Sequence, residues 1–222
     1  MTGEQGIQDP ERALAVAHAP VDARAALDTL FRLDERMGGI VGTTSEPMIG
    51  LMRLAWWRES LEKLDTVPAP AEPLLQDIAR DILPLGVSGA TLAAQEDGWA
   101  ALLDGEMDEA ALARHGRERG RRLFEAAALL LRARDDRLGA AGAGWALADL
   151  GHRHSDSAIR RAARDQAASI LDALAGKSWP RAARPLAMLA VLARADAHAS
   201  ERRRQGSPRR VARMLALRLA GR

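Results

Sequence analysis

Apolar residues recur every three or four positions along most of the chain, which is the spacing of amphipathic helices. In the segment 21–37, for example, one helical face carries Leu27, Leu30, Phe31 and Met37. Glycine, proline and N-capping residues at the segment boundaries divide the chain into about nine helices. Because the connections are short and no repeat period is found, we predict one all-α domain, a helical bundle over residues 1–222.

Composition favours the same fold class. Alanine and leucine dominate and aromatic residues make up 3% of the chain, and alanine and leucine lose little free energy on entering a helix. Cysteine is absent, which excludes disulfides, thiolate zinc sites and thiol nucleophiles. No secretory leader or bilayer-length apolar run is recognised. We therefore expect a soluble protein in the cytoplasm.

Basic charge is concentrated at the end of the chain. The segment 201–222 contains eight arginines and one acidic residue, so it carries +7 and leaves −5 for the rest. A basic amphipathic helix is predicted at about 207–220, with its apolar side formed by Val211, Met214, Leu215 and Leu219. It could contact an acidic protein partner or an anionic surface such as the inner membrane, or it could simply be solvated. No recognition motif accompanies it, so we do not expect nucleic-acid binding.

Asp34 projects from an apolar helical stripe. It lies seven residues after Leu27 and four after Leu30, so it shares their side of the helix. Burying a carboxylate costs several kcal/mol unless it is paired with a cation or coordinates a metal. Asp34 could line a polar cavity and hold a divalent cation. Alternatively, it lies near the helix end and pairs with an arginine such as Arg53 or Arg58.

A second polar set surrounds Asp149. Asp149, His152 and Asp156 lie at i, i+3 and i+7 and could chelate a metal if one helix contained all three. Alternatively, the set is solvated and Asp156 caps the next helix. The preceding glycines of GAAGAGWAL follow a helix rather than a strand, so we expect them to allow close helix packing rather than to bind phosphate.

The segment RLAWWRESLEKLD, residues 53–65, places two tryptophans side by side. Trp57 belongs to the apolar stripe of its helix and is predicted to be a core residue, whereas Trp56 lies about 100° away around the axis. Trp56 could wall a pocket in which Arg53 and Arg58 bind an anion such as phosphate. Alternatively, both rings pack between helices while the arginines reach solvent.

The same segment resembles the RLxWWR region of bacterial members of the squalene/phytoene synthase family. The resemblance continues in order through RAALDTLFRLDERM, GAGWALADL and WPRAARPLAMLAVLARAD, and so covers most of the chain. It implies an isoprenoid-synthase fold, with helices around a central apolar cavity. Active members join two prenyl diphosphates, using magnesium held by aspartate pairs one helical turn apart on facing helices.

This chain departs from the family pattern at both aspartate motifs. One turn after Asp34 stands Gly38, and one turn after Asp149 stands Arg153, so neither paired carboxylate is present. We therefore expect a non-catalytic binding or assembly protein, as some mitochondrial relatives of this family are. In the alternative, an active prenyl transferase, Asp34 and Asp149 would bind magnesium. Prenyl diphosphate would then be bound by Arg53, Trp56 and Arg58.

Overall fold

The computed structural model describes residues 6–222 as a chain of helices joined by short turns. The α-helices are α1 (Pro10–Ala17), α2 (Arg24–Thr43), α3 (Pro47–Lys63), α4 (Pro73–Asp81), α5 (Gly89–Ala93), α6 (Glu96–Ala100), α7 (Glu109–Arg114), α8 (Arg122–Leu130), α9 (Arg137–Arg153), α10 (Ser157–Asp172), α11 (Arg184–Ala197) and α12 (Pro208–Ala220). A π-helix at His115–Arg121 joins α7 to α8, and 3₁₀ turns lie at Val21–Ala23, Leu83–Leu85 and Arg181–Ala183. Every regular element of residues 6–222 is helical, which confirms the all-α prediction. The expected count of about nine is too low, because the described part of the chain contains ten α-helices of six or more residues.

Local chemistry explains where many of these helices begin. Helices α1, α3, α4 and α12 start on a proline, which needs no hydrogen-bond partner for its nitrogen at that position. A side-chain oxygen of the preceding residue accepts hydrogen bonds from first-turn amides at Asp9, Glu72, Ser88, Asp108 and Asp156. Each such cap satisfies donors that the helix itself leaves free. Asp156 therefore caps α10, the second of the two roles considered for it.

Glycines bring the π-helix into direct backbone contact with its neighbours. A Cβ atom placed on Gly120 would lie 2.2 Å from the Gly142 carbonyl oxygen of α9, and one on Gly98 of α6 would lie 2.2 Å from the Arg119 nitrogen. Only glycine permits such close approach. The prediction that the α9 glycines serve close packing is confirmed. Arg119 is consequently held between α6 and α9.

The hydrophobic core is one cluster of buried side chains to which all twelve α-helices contribute. Trp57 is 5% exposed and belongs to this core, as its periodicity predicts. At the end of the chain, Met214 and Leu217 of α12 are also buried. Within residues 6–222, no helix combines the length and the apolar composition that crossing a bilayer requires.

The apolar side of α12 is directed toward the protein. Met214 is fully buried, and Val211 and Leu215 are half-buried. Of the four residues expected on that side, Leu219 alone is largely exposed, at 81%. The fold therefore already covers most of that side, and contact of α12 with a membrane or an acidic partner stays a prediction that would depend on its arginines and Leu219.

Candidate functional site

Asp34 lies at the centre of a buried ionic cluster. It projects from the apolar side of α2, as its spacing predicts, and its side chain is inaccessible to solvent. Its Oδ1 accepts a hydrogen bond from Arg119 Nε at 3.0 Å, and its Oδ2 accepts one from Arg119 Nη2 at 3.1 Å. Arg12 Nη2 of α1 lies 2.9 Å from the same Oδ2. Asp34 is thus paired with arginines, as one of its two interpretations expected, but the partners are Arg119 and Arg12 and not Arg53 or Arg58.

Asp149 of α9 lies on the other side of Arg119. Arg119 Nη2 donates to Asp149 Oδ2 at 3.2 Å. The second oxygen, Oδ1, accepts hydrogen bonds from Arg153 Nε at 2.8 Å and Arg202 Nη1 at 3.0 Å. One guanidinium therefore bridges the two aspartates for which the sequence suggested a metal role.

Aromatic rings and a histidine complete the surroundings of Arg119. Its guanidinium carbon lies 3.9 Å from the ring centroid of Trp99 and 4.9 Å from that of Trp145, so the cation lies against two π-systems. Arg119 Nη1 lies 3.3 Å from His115 Nε2, and His115 Nδ1 lies 2.7 Å from the Gly98 carbonyl oxygen. These contacts fit a neutral imidazole that donates from Nδ1 and accepts at Nε2.

The ion pairs set the protonation states of the cluster. Burial alone would raise the pKa of Asp34 and of Asp149, but the nearby arginine charges, Arg119 foremost, outweigh burial and lower both pKa values. Burial alone would lower the pKa of Arg119, and the two aspartates raise it instead. For His115, burial and then the charge of Arg119 lower the pKa to about 4. At neutral pH the cluster therefore holds charged carboxylates, charged guanidinium groups and a neutral imidazole.

From Asp149 the network of ion pairs extends to α1 and α12, the first and last helices described. Arg202 bridges Asp149 and Asp196 of α11, and Arg210 of α12 binds Asp196 in turn. Arg210 also contacts both carboxylate oxygens of Glu11 in α1, at 2.5 and 2.8 Å. Because Glu11 and Arg12 are adjacent, the contacts close a ring through α1, α2, the π-helix, α9, α11 and α12. A buried charge is tolerated only with such partners.

This arrangement does not fit a magnesium ion. All four oxygens of Asp34 and Asp149 lie within 3.2 Å of guanidinium nitrogens, which come from Arg12, Arg119, Arg153 and Arg202. Four cations around two carboxylates repel a further divalent cation. Elsewhere in residues 6–222, no group of three or more His, Cys, Asp or Glu side chains is placed to hold a metal. Of the other two metal candidates, His152 contacts the Asp196 carbonyl oxygen at 2.9 Å, and Asp156 caps α10.

The residues predicted to bind an anion lie elsewhere, on the outer surface of α3. Arg53 and Arg58 are exposed, and the ring of Trp56 is 49% exposed. Trp56 meets the buried Trp57 edge to face, with ring centroids 5.3 Å apart. The structure therefore separates the tryptophan segment from the buried cluster.

Around Trp56 the solvent side of α3 is apolar. Met48, Ile49 and Met52 are 68%, 52% and 66% exposed, respectively. With Trp56 they occupy i, i+1, i+4 and i+8, which is one side of the helix. We call these four residues the α3 stripe. Exposed apolar groups that share one side in this way are typical of contact surfaces.

The sequence interpretation missed Arg12, Arg119 and His115. A signal was present for two of them, because Leu112, His115, Arg119 and Leu123 lie at i, i+3, i+7 and i+11, so His115 and Arg119 interrupt an apolar helical side. Arg12 had no comparable signal in its short helix.

Comparisons with known proteins add no further constraint. No protein-family model, curated protein or solved structure shows significant similarity to this chain.

Proposed function

We propose that this protein is a non-catalytic binding or assembly protein on a squalene/phytoene synthase-like helical scaffold. One observation carries the proposal: Arg119 bridges Asp34 and Asp149, the two aspartates that would have to hold magnesium in a working prenyl transferase. A guanidinium neutralises the carboxylates permanently, whereas catalysis by such an enzyme needs a cation that is free to meet a diphosphate. The central charges are therefore satisfied within the fold itself.

The packing around Arg119 supports the same proposal. An enzyme that joins two isoprenoid chains needs an apolar cavity that can admit them. In this protein, the region between Asp34 and Asp149 contains the Arg119 guanidinium with the rings of Trp99 and Trp145 against it. Arg119 is 2% exposed, so solvent does not reach this region from outside.

An enzyme assay tests the non-catalytic part of the proposal. Purified protein is incubated with magnesium and farnesyl or geranylgeranyl diphosphate, and both diphosphate release and a condensed hydrocarbon are measured, with an active squalene synthase as positive control. We expect no turnover above the rate without protein. Magnesium-dependent turnover that disappears in a folded Asp34→Asn or Asp149→Asn variant would instead establish the alternative function, an active prenyl transferase.

A binding role needs a contact surface, and the α3 stripe supplies one. Its four apolar side chains lie in water, which costs free energy that a partner protein would recover by covering them. Arg53 lies beside the stripe and could pair with an acidic residue of the partner. In this proposal, the residues that the sequence assigned to substrate binding contribute to a protein interface.

Site-specific photo-crosslinking tests the interface. A photo-crosslinking amino acid is placed at position 52 in the α3 stripe and, as the control, at the exposed Arg161 of α10. In cells that produce the protein at its native level, we expect a discrete adduct from position 52 and none from position 161. The absence of an adduct, or the same adduct from both positions, would contradict the interface.

A further inference from the structure

A groove of about 510 Å³ lies between α11 and α12. Its apolar wall is formed by Leu192, Ala195 and Ala199, from α11 and the residues that follow it. Its polar wall carries Arg203, Arg209 and Arg213, which come from the connecting segment and from α12. The groove is therefore apolar on one side and strongly basic on the other. It is separate from the α3 stripe and independent of the proposed function.

Within residues 6–222, the arginines on the basic side of this groove outnumber the acidic residues that line it. The exposed Arg203, Arg209 and Arg213 make no ion pair with any residue of the described range 6–222. Two acidic residues line the groove, and one of them, Asp196, is already bound by Arg210 and Arg202. Glu201 is thus left opposite three guanidinium groups. The excess charge is positive.

The protein holds this basic side in place. Arg210, in the first turn of α12, is buried and binds Glu11 and Asp196 at the same time. The backbone nitrogen of Gly206 donates to Glu11 at 3.0 Å, and Gln205 donates to Asp9 at 2.7 Å. The start of α12 is therefore fixed on α1. Arg209 and Arg213 project from it one turn apart, on the same side of the helix.

We propose that the α11–α12 groove binds a phosphate-bearing ligand with at least two negative charges, whose apolar part lies against Leu192, Ala195 and Ala199. Guanidinium groups match phosphate oxygens in pairs of hydrogen bonds, and three of them converge on this groove. Among residues 6–222, no aromatic side chain lines the groove, so stacking of a nucleic-acid base has no support there.

The decisive variant replaces two arginines of the groove. Arg209→Gln combined with Arg213→Gln removes two charges from the groove, and Arg161→Gln combined with Arg181→Gln removes two exposed charges elsewhere. Neither pair of arginines forms an ion pair within residues 6–222, so both variants are expected to fold, which circular dichroism checks. The two double variants have the same net charge. A difference between them therefore reports on the groove and not on overall electrostatics.

Binding is measured by calorimetry with inorganic pyrophosphate and with an acidic peptide, and by co-sedimentation with vesicles of phosphatidylcholine alone or with added phosphatidylglycerol. We expect saturable binding that weakens with salt and is at least about tenfold weaker in the Arg209/Arg213 variant than in the Arg161/Arg181 variant. Binding of pyrophosphate supports a free phosphate compound as the ligand, and binding of anionic vesicles alone supports a lipid headgroup. Binding to neither, binding of an acidic peptide in preference to both, or equal loss in the two variants would overturn the proposal.

Discussion

Arginine has two different roles in the buried cluster around Arg119 and in the α11–α12 groove. In the cluster, every oxygen of Asp34 and Asp149 faces a guanidinium, because an unpaired charge in the protein interior is costly. In the groove, water solvates Arg203, Arg209 and Arg213, so they can remain without a carboxylate partner. Arg210 lies at the border and connects the two regions. Of these two regions, therefore, the groove alone keeps positive charge available for a ligand.

The largest expected effect comes from breaking the cluster at its centre. Arg119→Met leaves Asp34 and Asp149 buried with less compensation, and should lower the free energy of unfolding by about 3–5 kcal/mol. The matched change in the groove is Arg213→Met, which removes an exposed charge and should alter it by less than about 0.5 kcal/mol. Chemical denaturation measures both. Equal losses would mean that burial does not distinguish the two regions.

Mild acid should also destabilise the cluster, through His115. The pKa of His115 is about 4 in the folded protein and near 6.5 when unfolded, so the unfolded chain binds the proton first. The free energy of unfolding should therefore fall as the pH drops from about 6.5 to 4, by up to roughly 3 kcal/mol. Asp34 and Asp149 have lowered pKa values, so their contribution is lost only below about pH 4.

The variant His115→Gln tests whether His115 causes this pH dependence. Glutamine can donate to the Gly98 carbonyl oxygen and accept from Arg119 without titrating. Denaturation across the pH range should give a flatter profile for the variant between pH 6.5 and 4. Identical profiles for the two proteins would show that His115 is not the group responsible.

A somewhat smaller loss of stability should follow from disturbing the close packing that positions Arg119. Gly142→Ala places a methyl group 2.2 Å from the Gly120 carbonyl oxygen and should lower the free energy of unfolding by about 1–3 kcal/mol. The control, Gly39→Ala in α2, meets no atom within 4 Å. It should raise stability by about 0.5–1 kcal/mol, because alanine favours the helix. The same sign at both positions would contradict the close approach of α9 and the π-helix.

Helical periodicity was sufficient to predict the fold class and the burial of individual residues. The spacing of Leu27, Leu30 and Asp34 correctly placed a carboxylate in the apolar side of α2, and the spacing around Trp57 correctly placed that ring in the core. Both conclusions depend only on how residues are spaced along one helix, and that spacing can be read from the sequence. The predicted helix at about 207–220 was an equally local inference, and α12 spans Pro208–Ala220.

The ionic partners could not be predicted in the same way. Asp34 and Arg119 are 85 residues apart, and the chain offers 32 basic residues as candidates, so spacing does not select one. The π-helix adds a further obstacle, since it changes which residues share a side between His115 and Arg121. The role assigned to the Asp149, His152 and Asp156 set assumed one continuous helix, whereas α9 ends at Arg153 and Asp156 begins a new one.

The claim that arginines, and not magnesium, bind Asp34 and Asp149 is tested most directly by magnesium titration. The free energy of unfolding is measured in excess magnesium chloride and in sodium chloride at equal ionic strength. A ligand that binds only the folded state stabilises it in proportion to the logarithm of its concentration. With arginines around Asp34 and Asp149, we predict the same free energy in both salts. A rise with magnesium that is absent in Asp149→Asn would contradict the claim, because the two aspartates would then be metal ligands.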